Sequence, residues 1–233
     1  MDRPYSPVHP NDDSQDVAII ARQAHWILVS KPSGMAVHGT GDALNDANLV
    51  DWARTCLGLH VAPVGRLDKG VSGLNLLVIA SEQGGSREMP VPELDKTYLA
   101  VVRGLTRKKG VIRRPLKDQR RRRSLDAVTR YRTLAHGRAE SLVIVGIETG
   151  RKHQIRRHLS GIGHPIYGDR RYGGKRPRWS QSERIWLHCI SAQSDSGVEY
   201  RAPFPTDWVE GCRDVGWDLD GLTWTPVAVE PRS

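Results

Sequence analysis

The sequence predicts an α+β fold, built on a mixed, mostly antiparallel central sheet with flanking helices and loops. Three observations predict it. Apolar and β-branched runs of strand length recur through the chain, with Trp26–Ser30, Leu74–Ala80 and Ser141–Thr149 the clearest. Helical periodicity is confined to two stretches, residues 44–57 and 153–162. Strands and helices do not alternate as βαβ units, so a mostly antiparallel sheet describes the pattern better than a parallel one.

Residues 1–16 are polar and acidic and contain Pro, which predicts a disordered tail and excludes a signal peptide. Val17–Ile20 and Trp26–Ser30 read as strands. Lys31-Pro32-Ser33-Gly34 reads as a tight turn, since Pro presets φ and Gly permits positive φ. Over Leu44–Leu57, Leu49, Val50, Ala53 and Leu57 share one helical face. A Gly-rich turn with Arg66 and Asp68 leads into the strand Leu74–Ala80. Glu93–Arg103 is a further strand, closed by Gly104. Residues 106–123 form a basic excursion, and Ala127–Leu134 and Ser141–Thr149 resume the strand pattern. His153–Ile162 is predicted helical, with Ile155, Leu159 and Ile162 as its buried stripe, and Gly163 ends it. Asp169–Trp179 is a Gly-rich basic loop. Ile185–Ser191 and Val198–Ala202 form a closing hairpin. The chain thus divides into a tail at 1–16, one large domain at 17–210 and a peripheral segment at 211–233.

The 233 residues are 38% hydrophobic, enough for a real core, and carry a net charge of +9. Such a balance points to a polyanionic partner. No apolar run approaches the length of a membrane span. Cys56, Cys189 and Cys212 are scattered, with no Cys-x-x-Cys pair, which argues against a zinc knuckle and for a reducing, cytoplasmic setting. No phosphate-binding or dinucleotide-binding Gly motif is present and the nine histidines fall in no ligand spacing, so no cofactor and no metal are expected.

Asp68 taken alone is a turn-capping Asp, the common role of that residue. Three other segments change the reading. In Lys96-Thr-Tyr-Leu-Ala-Val-Val102, strand alternation sets Tyr98 apart from Thr97 and Leu99, so it presents a ring and a hydroxyl on one face. In Gly150-Arg-Lys-His-Gln-Ile-Arg-Arg-His-Leu159, cations crowd a helix N-terminus, where they oppose the dipole; an anionic partner explains Arg151, His153 and Arg156 there better than local stability does. Helical spacing puts His153, Arg156 and Ser160 on a polar face, opposite Ile155 and Leu159. Gly163-His-Pro-Ile-Tyr-Gly-Asp-Arg-Arg-Tyr-Gly173 supports these signals without adding a role.

Together these segments resemble the pseudouridine synthases of the RluA/TruC type, in the short form without an S4-like domain. Ile27-Leu-Val-Ser-Lys-Pro-Ser-Gly-Met-Ala-Val-His38 is similar to the family's opening segment and brings in Lys31. Arg66-Leu-Asp68 with Ser72-Gly73 is similar to its catalytic motif, and the Tyr98 strand, the 149–159 segment and the 163–173 segment match in order. The resemblance runs from Val17 to Trp208. Gly65 stands where the family usually has His, and Val71 where it usually has Thr.

The resemblance implies a pseudouridine synthase fold, a catalytic domain at 17–210, and isomerisation of specific uridines in structured RNA. It implies that Asp68 is the catalytic residue, attacking the nucleotide or assisting cleavage at C1′, with Arg156 as its charge partner. Tyr98 then stacks on the flipped base and helps remove the C5 proton, Ile155 packs on the base, and Arg66 occupies or props the vacated space. Arg120, Arg121, Arg122 and Arg123 are expected to meet phosphates, along with Lys31, Arg151 and His153. The expected partner is RNA, tRNA ahead of rRNA, with no membrane and no obligatory protein partner, for a monomer. The rival reading is a non-catalytic RNA-binding or RNA-folding protein on the same scaffold; it needs the basic face but not Asp68, Tyr98 and Arg156 together. A base deaminase would need a zinc signature that is missing.

Overall fold

The structure, a computed structural model, describes residues 16–39, 48–80, 91–118, 122–219, 221 and 224–227. The expected tail, apart from Asp16, lies outside the described residues, as do Arg120 and Arg121 and the expected helix start at residues 44–47. In chain order the strands are β1 Ala18–Arg22, β2 Trp26–Lys31, β3 Val61–Val64, β4 Ser72–Ile79, β5 Leu94–Arg103 and β6 Lys109–Ile112. They continue with β7 Leu116–Asp118, β8 Arg123–Leu125, β9 Thr129–His136, β10 Glu140–Ile147, β11 Leu187–Ser194 and β12 Glu199–Arg201. The helices are α1 Leu49–Leu57, α2 Gln154–Gly161 and α3 Thr206–Asp214. The chain forms two compact units, Met1–Asp95 with Ile190–Pro203, and Lys96–Cys189 with Phe204–Ser233.

In the first unit β2 pairs antiparallel with β1 and with β4, and β3 pairs antiparallel with β4. Leu76 and Leu77 of β4 face partners in both β2 and β3, so those two strands lie on opposite edges of β4. Pro63 has no N–H to donate, which suits a position in β3 at a sheet edge. All six residues of β2 are buried, the polar Ser30 and Lys31 included, so burial does not alternate along it. Each fully buried Leu or Ile here, such as Ile27, Leu28 and Leu77, adds roughly 1.5–3 kcal/mol over its exposed state. Helix α1 contains the whole expected face, Leu49, Val50, Ala53 and Leu57, and Asn48 caps it: the Asn48 side chain accepts from the Asp51 N–H at 3.1 Å. β12 pairs with the Ser191–Gln193 part of β11.

In the second unit β5 pairs with β10, β10 with β9, and β9 with β6, all antiparallel. The basic excursion is therefore not a bare loop. It supplies β6 and a two-stranded ribbon, β7 with β8. Helix α3 crosses the boundary drawn at 210/211. Trp208, Gly211 and Cys212 are buried, as are Trp217 and Leu219 beyond it. Trp186 and Trp208 sit 5.3 Å apart between ring centroids, and Trp179 lies 4.5 Å from Trp186. This aromatic cluster fastens α3 to the unit.

Candidate active site

The turn that carries Asp68 is built from its carbonyls outward. The chain leaves β3 through Gly65, whose φ of 72° lies where a side chain is strained. That conformation accounts for glycine at a position where the resemblance led to expect His. Leu67 is buried and anchors the turn, and its N–H donates to the Asn75 Oδ1 at 3.3 Å. Four consecutive carbonyls then each accept a hydrogen bond. Val71 N–H donates to Asp68 O at 2.9 Å, and Gly34 N–H to Lys69 O at 2.8 Å. Ser33 Oγ donates to Gly70 O at 2.9 Å, and Lys31 Nζ to Val71 O at 2.6 Å. Lys31 Nζ also donates to Met35 O at 2.7 Å and Pro32 O at 2.8 Å.

Lys31, expected to meet RNA, is thus 1% exposed. Its ammonium fastens the 31–35 turn to the 69–71 turn. Asp68 is half-buried on this frame, and Arg66 is exposed. Arg66 Nη1 lies 3.2 Å from His38 Nε2. A guanidinium has only donors, so that imidazole nitrogen is the acceptor.

Helix α2 is seated by Gln154 rather than by its N-cap. His153, at the cap, has φ 54° and no side-chain cap bond. Buried Gln154 accepts from Thr149 Oγ1 at 2.7 Å and from Arg151 N–H at 3.0 Å. Its amide donates to Val128 O at 2.9 Å and Thr129 Oγ1 at 3.1 Å. One side chain therefore ties the helix start to the end of β10 and the start of β9.

Thr129 Oγ1 is in turn 2.8 Å from His158 Nδ1, and His158 Nε2 lies 2.9 Å from Arg114 O. A carbonyl only accepts, so Nε2 carries the proton and Nδ1 accepts from Thr129. Burial lowers the His158 pKa from its ordinary 6.5, against the pull of the Arg114 carbonyl, and the Arg157 and Arg114 charges lower it further.

The polar face expected for α2 gathers on one residue. His153, Arg156 and Ser160 all meet Tyr172, which sits in the 3-10 turn Arg170–Tyr172. His153 Nδ1 is 2.9 Å from the Tyr172 hydroxyl, Arg156 Cζ is 5.2 Å from the ring centroid, and Ser160 Oγ donates to Tyr172 O at 2.6 Å. Arg156 is paired side-on with Asp169, Nε to Oδ2 at 2.7 Å and Nη2 to Oδ1 at 2.8 Å. Neither Asp169 nor Tyr172 has a role that the sequence alone discloses. The signal for them was a single carboxylate standing in a run of cations, followed three residues later by a tyrosine.

Of the remaining site residues, Tyr98 is buried on β5 opposite Val145, and Ile155 is buried on α2. Arg151 is exposed and donates from Nε to Asp126 O at 3.0 Å. Arg122 and Arg123 are exposed at the end of the β7–β8 ribbon, Arg122 with φ 50°. Arg157 Nη2 donates to Lys117 O at 3.2 Å, which joins α2 to that ribbon.

Charge divides unevenly. The second unit holds 27 of the 35 Lys and Arg and 12 of the 26 Asp and Glu, a net of +15; the first holds 8 and 14, a net of −6. The first unit thus carries a carboxylate on a hydrogen-bonded turn, and the second a buried guanidinium and a positive charge suited to a polyanion.

Comparison with known proteins gives the same direction. Residues 25–161 match the family model described as RNA pseudouridylate synthase. The chain is 33% identical to tRNA pseudouridine synthase C of Pectobacterium carotovorum subsp. carotovorum, over 85% of this chain and 62% of the relative's length. It is 34% identical to tRNA pseudouridine synthase C of Vibrio cholerae, over 85% of this chain and 96% of that one. The solved structure of human RNA pseudouridylate synthase domain containing 4 superposes with a TM-score of 0.66 at 22% identity, covering 85% of this chain and 92% of that chain. That last likeness shows the fold, and the α+β, mostly antiparallel architecture agrees with it.

Proposed function

Because the chain belongs to the RNA pseudouridylate synthase family, we propose that it converts specific uridines of a structured tRNA to pseudouridine, with Asp68 as the catalytic carboxylate. The reaction breaks the N1–C1′ bond, forms a C5–C1′ bond, releases the C5 proton and returns a proton to N1, with no net oxidation or reduction. It needs no cofactor. The observation that supports the reading is the Asp68 turn, whose four bound carbonyls hold the backbone beneath a half-buried carboxylate.

A uridine in folded RNA must leave the stack before a carboxylate reaches C1′. Arg66, exposed beside Asp68, fills the space the uridine vacates. Tyr98 and Ile155 meet the flipped base, and Arg156 balances the Asp68 charge. His153 and Arg151, with Arg120 to Arg123, meet RNA phosphates. The +15 unit supplies the grip. Lys31 acts through the turn and not on the RNA. The assignment to tRNA rests on the named relatives from Pectobacterium and Vibrio, both tRNA pseudouridine synthases C. The reading takes the enzyme as a monomer in the cytoplasm. Separately, among the described residues no helix is long and apolar enough to cross a membrane.

The test is carbodiimide mapping of pseudouridine after incubating the purified protein with total tRNA and, separately, with protein-free 23S rRNA fragments. Modification of tRNA is expected. Modification of rRNA alone would overturn the substrate while keeping the reaction. Tight RNA binding with no pseudouridine in either pool would favour the non-catalytic RNA-folding reading.

A further inference from the structure

We propose that Asp169 and Tyr172 are positioning residues that fix the guanidinium of Arg156 in the orientation turnover requires, an inference that rests on the function proposed above. The geometry is specific. Asp169 is 1% exposed and Arg156 6%. The pair is side-on, using Nε and Nη2. A side-on pair does not use the end of the fork, where Nη1 and the second N–H of Nη2 form another two-donor edge directed along the side chain. Asp169 therefore sets where that edge points. Arg156 Cζ also lies 5.2 Å from the centroid of the Tyr172 ring, a cation–ring contact that holds the group from a second side. The paired carboxylate and the ring together restrict how the guanidinium turns.

The bracket is itself held. Asp169 N–H donates to Ile166 O at 3.2 Å, and Asp169 O accepts from Gly174 N–H at 2.8 Å and Tyr172 N–H at 3.1 Å. Only glycine fits at 174, since a Cβ there would stand 1.8 Å from Ile166 O and 2.8 Å from Asp169 N. The Tyr172 hydroxyl is engaged by His153 and its carbonyl by Ser160.

Stability alone does not ask for this arrangement. Burying an ion pair is expensive in desolvation, and apolar residues of like volume often serve as well. The same unit contains a second pair for contrast, a buried Arg184 with a half-buried Asp207. Arg184 Nη1 meets Asp207 Oδ1 at 2.7 Å through one nitrogen, and Asp207 Oδ2 accepts from Ser182 Oγ at 2.7 Å. That pair ties the start of α3 to the chain before β11 and matches no segment of the resemblance.

The experiment compares Asp169→Asn with Asp207→Asn, alone and with Arg156→Ala, in single-turnover assays on the tRNA substrate. Asp169→Asn is expected to lower the rate constant about a hundredfold, the scale of an ångström-level misplacement, with KM within about threefold. In the Arg156→Ala background it is expected to cost less than about threefold more, because residues acting as one unit are not additive. Asp207→Asn lowers the melting temperature but leaves turnover within about twofold.

Full additivity of Asp169→Asn with Arg156→Ala, an unchanged Asp169→Asn rate, or an equal loss in Asp207→Asn would overturn the proposal. Should Asp169→Asn not fold, Tyr172→Phe against Tyr172→Leu decides: the ring-keeping variant is expected to stay near wild type and the ring-losing one to fall at least about tenfold, and equal rates would refute the bracket. A second readout needs no activity. The Arg156 Nε–H resonance, identified by its loss in Arg156→Lys, is expected to exchange slowly in wild type and at least about tenfold faster in Asp169→Asn. Wild type inactive on every RNA would defeat the functional reading, while this resonance would still decide whether Asp169 fixes Arg156.

Discussion

The turn that bears Asp68 and the helix that bears Arg156 are immobilised by opposite means. The turn is held through its backbone: a buried ammonium, a hydroxyl and two N–H groups occupy the carbonyls of residues 68–71. The helix is held through its side chains: a carboxylate and a ring on Arg156, and an amide using all four of its hydrogen-bonding directions at Gln154. The difference follows from what each must present. A carboxylate on a two-bond stem is placed by placing its backbone. A guanidinium on a stem of three methylenes is not, and needs partners at its own end.

Charge follows the same division. The unit with the carboxylate is net −6 and the unit with the guanidinium net +15. Changes in the first unit are therefore expected to read out in turnover and folding, and changes on the surface of the second in affinity and its salt dependence.

The largest expected effect is Asp68→Asn. It keeps the shape and removes the charge, so single-turnover tritium release from 5-labelled uridine RNA should fall by more than about a thousandfold with RNA affinity and melting temperature near wild type. Residual activity above that level would move the catalytic role away from the turn. Next comes Lys31→Met, which keeps the apolar stem and strips the carbonyls of Pro32, Met35 and Val71 of their donor. Each buried acceptor left unsatisfied costs about 1–3 kcal/mol, so a loss of roughly 3 kcal/mol or more in urea unfolding is expected, with turnover falling too. A stability change under about 1 kcal/mol would show that the turn does not depend on the ammonium, and the contrast between the two modes of immobilisation would fail.

The backbone-held turn was legible in the sequence because its parts are contiguous text: Lys31-Pro32-Ser33-Gly34 on one side and Gly65 to Val71 on the other. The strands β2, β4, β5 and β10 were legible for the same reason, as contiguous stretches rich in apolar and β-branched residues. The side-chain bracket was not, because Asp169 stands thirteen residues from Arg156 and reads as loop. The strands of the basic excursion were hidden by their charges. Leu116 and Leu125, paired across β7 and β8, are single apolar residues in a run of cations. α3 carries a short sequence signal, Pro205 followed by Trp208 and Cys212 at helical spacing on the buried face. Lys31 shows the limit of composition: a lysine in a basic chain suggests a phosphate partner, and only the fold reveals that it is enclosed.

A smaller effect is expected from the ribbon. Replacing Arg120 to Arg123 with Ser should weaken RNA binding and flatten the dependence of log K on log salt by up to roughly 0.7–0.9 for each phosphate no longer neutralised, with turnover at saturating RNA close to wild type. The matching change in the acidic unit, Arg54→Ser on exposed α1, should leave the slope alone. Equal slopes in all three proteins would mean that the charge difference between the units has no part in binding.

The smallest expected effect concerns pH. His158 is neutral in the folded protein, its pKa lowered chiefly by burial. In the unfolded chain the imidazole takes a proton near pH 6.5, and in the folded chain only at lower pH. The unfolded state thus binds more protons as the pH falls through 6.5, and stability declines from about pH 7 downward until the folded value is passed. Above pH 7 the group contributes no slope. His158→Gln removes that slope and, at pH 8, costs about 1 kcal/mol for the bond to the Arg114 carbonyl. Melting of wild type and variant between pH 8 and 5 should therefore converge as the pH falls. Hydrogen exchange adds location: amides of α2 and β9 in wild type should lose protection on acidification before those of β2 and β4, since the imidazole joins Thr129 to Arg114 within the helix-bearing unit alone. Parallel melting curves, or simultaneous loss of protection in both units, would show that His158 does not set the acid limit of that unit.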